Sequence, residues 1–361
     1  MSLSKRIQLY KKIEQERGRP LIAYVTSQRA NASGQMGADV VPEICDQVLA
    51  LPQKTQAVDI LIVSSGGDPM VAWRTISVLR EKVKTIGVLI PQSAYSAATL
   101  LALGADEIVM HPCGNLGPLD PQITINHRDA KGNNEAIQYS AEDLLAFLNF
   151  AKKEVGIKDQ SCLLEAFKMA TQQVGPTAVG FTARSTNLSL NLGLKLLQTH
   201  REKREEKNSR AIVSKLNKEF FAHGYPLSRT EAKEIGLHVT FPNSTLEKLM
   251  WDTWQVIEED MKCRVPFSPM DAFITALKAI PMKMPAPSST APAPDGAVPA
   301  PAIVSANMAV STIHAMLESV QLQRMYIADH DIQGVKDATG AIQANVATRA
   351  GCWRKSIDAA S

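Results

Sequence analysis

Two short segments hold residues whose types and spacing could do chemistry. The first is Ser64-Ser-Gly66-Gly67-Asp68, at the end of the apolar run VDILIVS. Paired glycines at a strand end let the backbone approach a ligand closely. Their N–H groups, with the helix start that follows, can face an anion or a developing oxyanion. The second is Ser93-Ala-Tyr95-Ser96-Ala97-Ala-Thr-Leu-Leu-Ala-Leu-Gly. Here a serine opens a helix of small apolar residues just beyond another strand. A hydroxyl there gains the helix dipole and the N–H of Ala97, which is what attack on an acyl group requires. The same serine could instead be an ordinary N-cap, a role for which Ser93 competes. Asp68 and Tyr95 flank both segments as substrate-positioning groups or as local hydrogen-bonding groups.

The elements that position these residues alternate. Residues 21–27, 58–64, 84–90 and 106–110 are strand-like, and 39–50, 70–82 and 94–104 are helical. The β-branched run at 58–64 suits a strand covered on both faces. A β-α-β-α-β order implies a parallel sheet with right-handed crossovers and with functional groups at the carboxyl ends of its strands. Residues 1–20 read as an amphipathic helix and 140–220 as largely helical. Capping boxes stand at Ser140–Asp143 and Ser228–Glu231, with Gly236 a stop for the second helix. The charged run 200–210 reads as a solvated helix face, and 245–262 as another helix. Seven prolines between Pro281 and Pro301 mark a semi-rigid linker. Beyond it, 305–325 reads as helix and 341–348 as strand. The expected organisation is therefore an N-terminal helix (1–20), an α/β domain (21–262), a Pro/Ala-rich linker (281–303) and a small C-terminal segment (304–361), which would contact a partner or a second copy.

Composition narrows the classes. The 361 residues are 45% hydrophobic, enough for a substantial core, and Lys plus Arg number 39 against 36 Asp plus Glu. No clustered basic excess points to nucleic acid. Cys45, Cys113, Cys162, Cys263 and Cys352 form no CxxC pair, and no His/Asp/Glu cluster has metal spacing, so neither a metal nor a cofactor is expected. Scattered thiols, no apolar run behind the N-terminal charges and no stretch of 18 apolar residues imply a cytoplasmic protein without a membrane span. Neither a P-loop nor a G-x-G-x-x-G fingerprint occurs, so any ATP-driven unfoldase would be a separate chain.

The pair SSGGD and AYSAATLLALGADEIVMHP, in that order, resembles the Clp protease proteolytic subunit and signal peptide peptidase A. A third segment, Leu227-Ser-Arg-Thr-Glu-Ala-Lys-Glu-Ile-Gly-Leu237, is similar to a helix of those families. Gly117-Pro-Leu-Asp-Pro-Gln122 and His223-Gly-Tyr-Pro-Leu227 resemble the serine dehydrogenase proteinase family most closely. The resemblance covers roughly residues 20–245. It implies the Clp/crotonase fold, a parallel β-sheet core with flanking helices. It also implies Ser96 as nucleophile, Gly67 and Ala97 as oxyanion-hole N–H donors, and Gly66 as the residue that permits the turn.

The general base departs from those families. Where the Clp subunit has its catalytic histidine, the alignment gives Leu119 or Asp120, and where it has its aspartate, Gly224 beside His223. The resemblance then implies that His223 takes the proton from Ser96 while Asp120 orients it, since the three roles need contact and not a fixed chain order. The rivals are a Ser-Lys dyad through Lys152 or Lys153, as in signal peptide peptidase A, and His111. Lys152 and Lys153 sit at a polar helix end, and His111 suits a buried, hydrogen-bonded core position. His127, His200 and His238 read as loop or surface residues.

The first reading is a serine peptidase that hydrolyses peptides through an acyl-enzyme, with an extended substrate lying along Gly66-Gly67-Asp68. The second is a crotonase-like acyl-CoA enzyme, which would use the two N–H groups without Ser96. The third is a non-catalytic assembly protein that retains the fold. Families of this fold form rings, so a homo-oligomer is expected.

Overall fold

In a computed structural model the structure describes residues 2–119, 122–128, 134–218, 224–279, 304–336 and 342–356. The linker lies outside them. The first half alternates as the periodicity requires: α1 (Ser2–Arg17), β1 (Leu21–Thr26), α2 (Val40–Ala50), β2 (Ala57–Val63), α3 (Pro69–Lys82), β3 (Thr85–Ile90), β4 (Ser93–Ala94), α4 (Ala97–Leu103), β5 (Glu107–Met110) and β6 (Asn115–Leu116). There follow a hairpin, β7 (Gln122–Arg128) and β8 (Asn134–Ser140), and four helices, α5 (Ala141–Lys153), α6 (Gln160–Val174), α7 (Pro176–Leu197) and α8 (Glu206–Lys218). Then come β9 (Leu227–Ser228), α9 (Arg229–Glu234), β10 (Val239–Thr240), α10 (Ser244–Met261) and α11 (Pro269–Ala279). The chain closes with β11 (Val304–Glu318), β12 (Gln323–Lys336), β13 (Ile342–Thr348) and β14 (Cys352–Lys355).

The main sheet runs β10-β5-β3-β2-β1-β11-β12-β13, with β14 also on β12. Strands β1, β2, β3, β5 and β10 are mutually parallel. Its apolar strands are buried on both faces. Val58, Ile60 and Ile62 of β2 join the layer of α2, α3, α4, α7 and α8, while Leu61 and Val63 join that of α1 and α10. That two-sided burial is why the run at 58–64 shows no alternation. A second small sheet, β4-β6-β9, stands where the first carries its carboxyl ends.

The expected helix over 305–325 is a strand pair instead. Strand β11 pairs antiparallel with β1 over residues 315–318 and with β12 along its whole length. A register irregularity between Ile313 and Ala315 breaks the period-2 pattern, so the apolar spacing imitates a helix. Tertiary pairing decides the outcome, because β1 would otherwise present an open edge. The strand at 342–348 and the second capping box are as expected: Ser228 Oγ accepts from the Glu231 N–H, and Glu231 accepts from the Ser228 N–H. Gly236 closes that helix with φ +100°. Helix α1 is fastened to the C-terminal strands by charge. Arg6, fully buried, donates to Glu318 at 2.8 Å and pairs with Asp260, and Tyr10 donates to the same Glu318 at 2.8 Å.

Candidate active site

Ser96 occupies the turn between β4 and α4 with φ 51° and ψ −114°. The other non-glycine residues at positive φ include Lys262, at the left-handed values 55° and 38°, which the end of helix α10 tolerates; the Ser96 ψ lies far from that well. Such a conformation costs of order 1–3 kcal/mol and is held only where its surroundings over-determine it. It matches the sharp strand-to-helix turn that lifts a serine hydroxyl out of the backbone in nucleophile elbows. The capping alternative fails on geometry. Ser96 stands at the N-cap position and its carbonyl accepts from Leu100 N–H at 3.0 Å, yet its side chain makes no capping bond. Ser93, the other candidate cap, is buried in β4, accepting from Gln28 at 2.6 Å and donating to Gln92 at 2.5 Å.

The glycine pair is built against this turn. A Cβ on Gly66 would stand 2.7 Å from the Tyr95 carbonyl oxygen, 2.8 Å from Ser96 Cβ and 3.1 Å from Ala97 N. Gly66 and Gly67 have φ +102° and +145°. On one side, Met36 donates to the Gly66 carbonyl at 2.8 Å and accepts from Asp68 N–H at 2.9 Å. A bridge of that pattern turns the N–H of Gly67 itself away from Met36. On the other side, Ser64 and Ala94 pair, with Ser64 N–H to Ser93 and Tyr95 N–H to Ser64 at 2.9 and 3.0 Å. The N–H groups of Gly67 and Ala97 find no acceptor among the described residues, and Ser96, next to Ala97 in the chain, is half-buried. Met36 occupies the edge made by the Gly66 carbonyl and the Asp68 N–H, and the Gly67 N–H lies on the opposite edge.

Three supports were not visible in the sequence. Buried Ser64 Oγ accepts from Gly66 N–H at 3.0 Å and from the buried Thr26 hydroxyl at 2.8 Å, which fixes the glycine turn from below. Thr99, on the first turns of α4, donates to the Ala94 carbonyl at 2.7 Å and accepts from Gly117 N–H at 3.1 Å, clamping the helix to Gly117. The loop that carries Met36 is braced by β11. Ser27 N–H donates to the His314 carbonyl at 2.8 Å, and His314 Nδ1 donates to the Ser33 carbonyl at 2.9 Å. Only the hydroxyls of Ser64 and Thr99, each a few residues from a glycine or from Ser96, offered any sequence signal.

The remaining residues separate. Asp68 caps α3, its carboxylate accepting from Met70 N–H at 2.8 Å. Tyr95 packs its ring against Gly117, and burial pushes its phenol upward. His111 is buried and stacked on Trp251 of α10 at 5.1 Å, with Nδ1 accepting from Cys113 N–H at 3.0 Å. Burial lowers its pKa, and its ring belongs to the α10 layer, whereas α4 belongs to the other. Lys152 is exposed at the end of α5, which packs on α6 and α7. His200 is not a surface residue: it is buried, and Nε2 donates to the Leu103 carbonyl at 2.7 Å. The charged run forms a helix only from Glu206, because its first residues close over the end of α4. His238 is exposed. His223 and Asp120 lie outside the described residues. The segments on either side of them are joined, Leu116 to Leu227 across β6-β9 and Leu119 N–H to the Leu216 carbonyl at 2.8 Å. Among the described residues no group of His, Cys, Asp and Glu is placed to hold a metal ion, and no helix is long and apolar enough to cross a membrane.

The chain is similar to two uncharacterized proteins of Methanocaldococcus jannaschii. One is 24% identical over 267 residues, 72% of this chain and 78% of that protein. The other is 27% identical over 197 residues, 55% of this chain and 58% of that protein. Solved structures with similarity include a membrane-bound stomatin-specific protease in complex with a substrate peptide (14% identity, 73% of this chain and 99% of that one, TM-score 0.35). A ClpP1 variant from Listeria monocytogenes shares 13% identity over 68% of this chain and 99% of its own, with a TM-score of 0.30. A monofunctional enoyl CoA isomerase from M. smegmatis shares 16% over 73% and 89%, with a TM-score of 0.32. The profile of one family matches residues 1–146, the stretch that contains the glycine turn, Ser96 and the first four strands of the parallel sheet. By that match and by the residues that carry it, the N-terminal part of this chain is similar to the ClpP-like, SDH-type serine proteinases.

Proposed function

We propose that the protein is a serine peptidase that cleaves peptides through an acyl-enzyme on Ser96. The observation that carries this reading is the Ser96 backbone, at φ 51° and ψ −114°, with a hydroxyl that caps nothing. A strained, uncapped serine beside the unpaired Ala97 N–H has no structural use that a glycine would not serve better. Ser96 Oγ attacks the peptide carbonyl and gives its proton to the base. The carbonyl oxygen takes the negative charge and is held by the N–H groups of Gly67 and Ala97. The amine leaves with the proton, and water then releases the acyl group by the same route.

His223 is the base in this proposal and Asp120 its orienting carboxylate. Support comes from the joined flanks, Leu116–Leu227 and Leu119–Leu216, and from Thr99, which ties α4 to the same Gly117 segment. Lys152, exposed, lacks the desolvation that a lysine base needs at neutral pH, and His111 is engaged with Trp251 and Cys113. The working form is a homo-oligomer. Exposed Phe147, Phe150, Leu164, Met169 and Phe181 on α5, α6 and α7 are the apolar surface that supports it.

Intact-mass labelling with a fluorophosphonate tests the reading on wild type, Ser96→Ala, His223→Gln and Lys152→Ala. One adduct on wild type, absent from Ser96→Ala and His223→Gln and retained in Lys152→Ala, is expected. Loss in Lys152→Ala with labelling kept in His223→Gln would move the base to lysine. A folded wild type that never labels would sink the peptidase reading.

A further inference from the structure

A pocket of about 260 Å³ opens at the amino ends of strands whose carboxyl ends face Ser96. Ser96 follows the carboxyl end of β3, whereas Thr85 opens β3 and Asp106 stands just before β5. The pocket is lined by Thr85, Asp106, His200, Arg201, Glu202 and His238.

Two of these are committed to the fold. Asp106 accepts from Arg80 at 2.8 Å, Ile86 N–H at 2.7 Å and Arg201 N–H at 2.7 Å, so its carboxylate is satisfied and neutralised. His200 is fixed through Nε2 on the Leu103 carbonyl. The Thr85 hydroxyl, the Arg201 guanidinium and the His238 ring, in contrast, have no hydrogen-bond or ion-pair partner among the described residues. Arg204, outside the lining, donates to the Gly236 carbonyl at 2.5 Å. Its Nε and Nη2 are buried with no protein acceptor, as is Nε of Arg80.

With Asp106 neutralised by Arg80, the lining offers the donors of Thr85, Arg201 and His238 beside one free carboxylate, Glu202. Arg201 and His238 are exposed and Thr85 is half-buried, so in this concave site their donors are free to meet a ligand that brings acceptors. Arginine's planar fork fits the two oxygens of a carboxylate or phosphate. A cation is disfavoured, since no His, Cys, Asp and Glu group among the described residues converges to hold one.

We propose that this pocket binds a small oxyanion, a carboxylate or phosphate group, held by Arg201, Thr85 and His238. Glu202, exposed on the rim, sets the strength by repulsion.

The test is calorimetric titration and thermal unfolding of the full chain with sodium phosphate and, separately, sodium succinate. Sodium chloride at matched ionic strength is the reference. Saturable binding with a raised unfolding midpoint is expected, weakened at least tenfold in Arg201→Gln and tightened severalfold in Glu202→Gln. Both side chains are exposed, so the variants should keep the wild-type circular dichroism. Tighter binding of phosphate assigns a phosphate ligand, and tighter binding of succinate a carboxylate. Absence of saturable binding by either anion, an unchanged affinity in Arg201→Gln, or weaker binding in Glu202→Gln would overturn the proposal. None of these readouts depends on the chemistry of Ser96.

Discussion

Gly66 and Ser96 are packed so closely that a methyl group on the glycine would stand 2.8 Å from Ser96 Cβ. Contacts under 3.0 Å force something to move, and here the neighbours also include backbone, the Tyr95 carbonyl oxygen at 2.7 Å. Gly66 also sits at φ +102°, which side chains rarely adopt. Gly66→Ala should therefore displace the serine turn, costing about 1–3 kcal/mol of stability. Fluorophosphonate labelling should fall at least 100-fold while circular dichroism stays native. Unchanged labelling would separate the glycine turn from the chemistry.

Ser64 tests the support one layer deeper. Ser64→Ala leaves the Gly66 N–H and the Thr26 hydroxyl buried without their acceptor, at a cost of about 1–3 kcal/mol. Because that turn carries Gly67, whose N–H is an oxyanion donor in the proposed mechanism, the labelling rate should fall about tenfold. Thr26→Val should lower stability with a smaller effect on labelling, since the Gly66 bond to Ser64 survives.

Acidification should destabilise the fold through its buried imidazoles. Burial lowers the pKa of His111, His200 and His330 below the ordinary histidine value. The unfolded chain then binds protons that the folded chain refuses, so stability is full above about pH 6.5 and declines as the pH falls below it. Asp59 works the other way. Burial, outweighing the attraction of Arg17, pushes its carboxyl up to about 6, so its contribution rises as pH falls through that value. Comparing wild type with His200→Gln isolates one histidine: urea midpoints from pH 7.5 to 5.0 should decline less steeply in the variant. A parallel decline would show that His200 is not a source of the slope.

Assembly has its own probe. Phe150 is 58% exposed on α5, beside Phe147 on the same helix. Phe150→Asp places a charge in that apolar surface and should shift light-scattering mass toward the monomer at micromolar concentration, leaving thermal stability within about 0.5 kcal/mol, as for a surface change. An unchanged mass would direct the interface elsewhere.

Much of the parallel core could be read from the sequence, because strands covered on both faces and helices with one apolar stripe leave strong local patterns. The runs at 58–64 and 84–90 and the capping box at Ser228 are instances. Ser96 was legible for the same reason, since a serine opening a small-residue helix after a strand is a local signal. The strained ψ that distinguishes it from a cap is not, nor is the bridge from Met36 that turns the Gly67 N–H. Those depend on partners about thirty residues away. His200 was misread because its neighbours in sequence are charged, although its ring is buried by the end of α4. The helix expected at 305–325 failed because a bulge at Ile313 disguised a strand that pairs with the next strand, β12, and, at the other end of the chain, with β1.

The pairing of β1 with β11 has a consequence for biosynthesis. Val25 pairs with Met316, almost three hundred residues later. Such non-local pairs form slowly, since a long stretch of chain must close before they are rewarded. While the protein emerges from the ribosome, the outer edge of β1 waits unpaired until the far strand is made, and an unpaired edge is where strands from other chains add on. The nascent chain is thus most open to misassembly over that interval, and its last strands act as the lock that ends it.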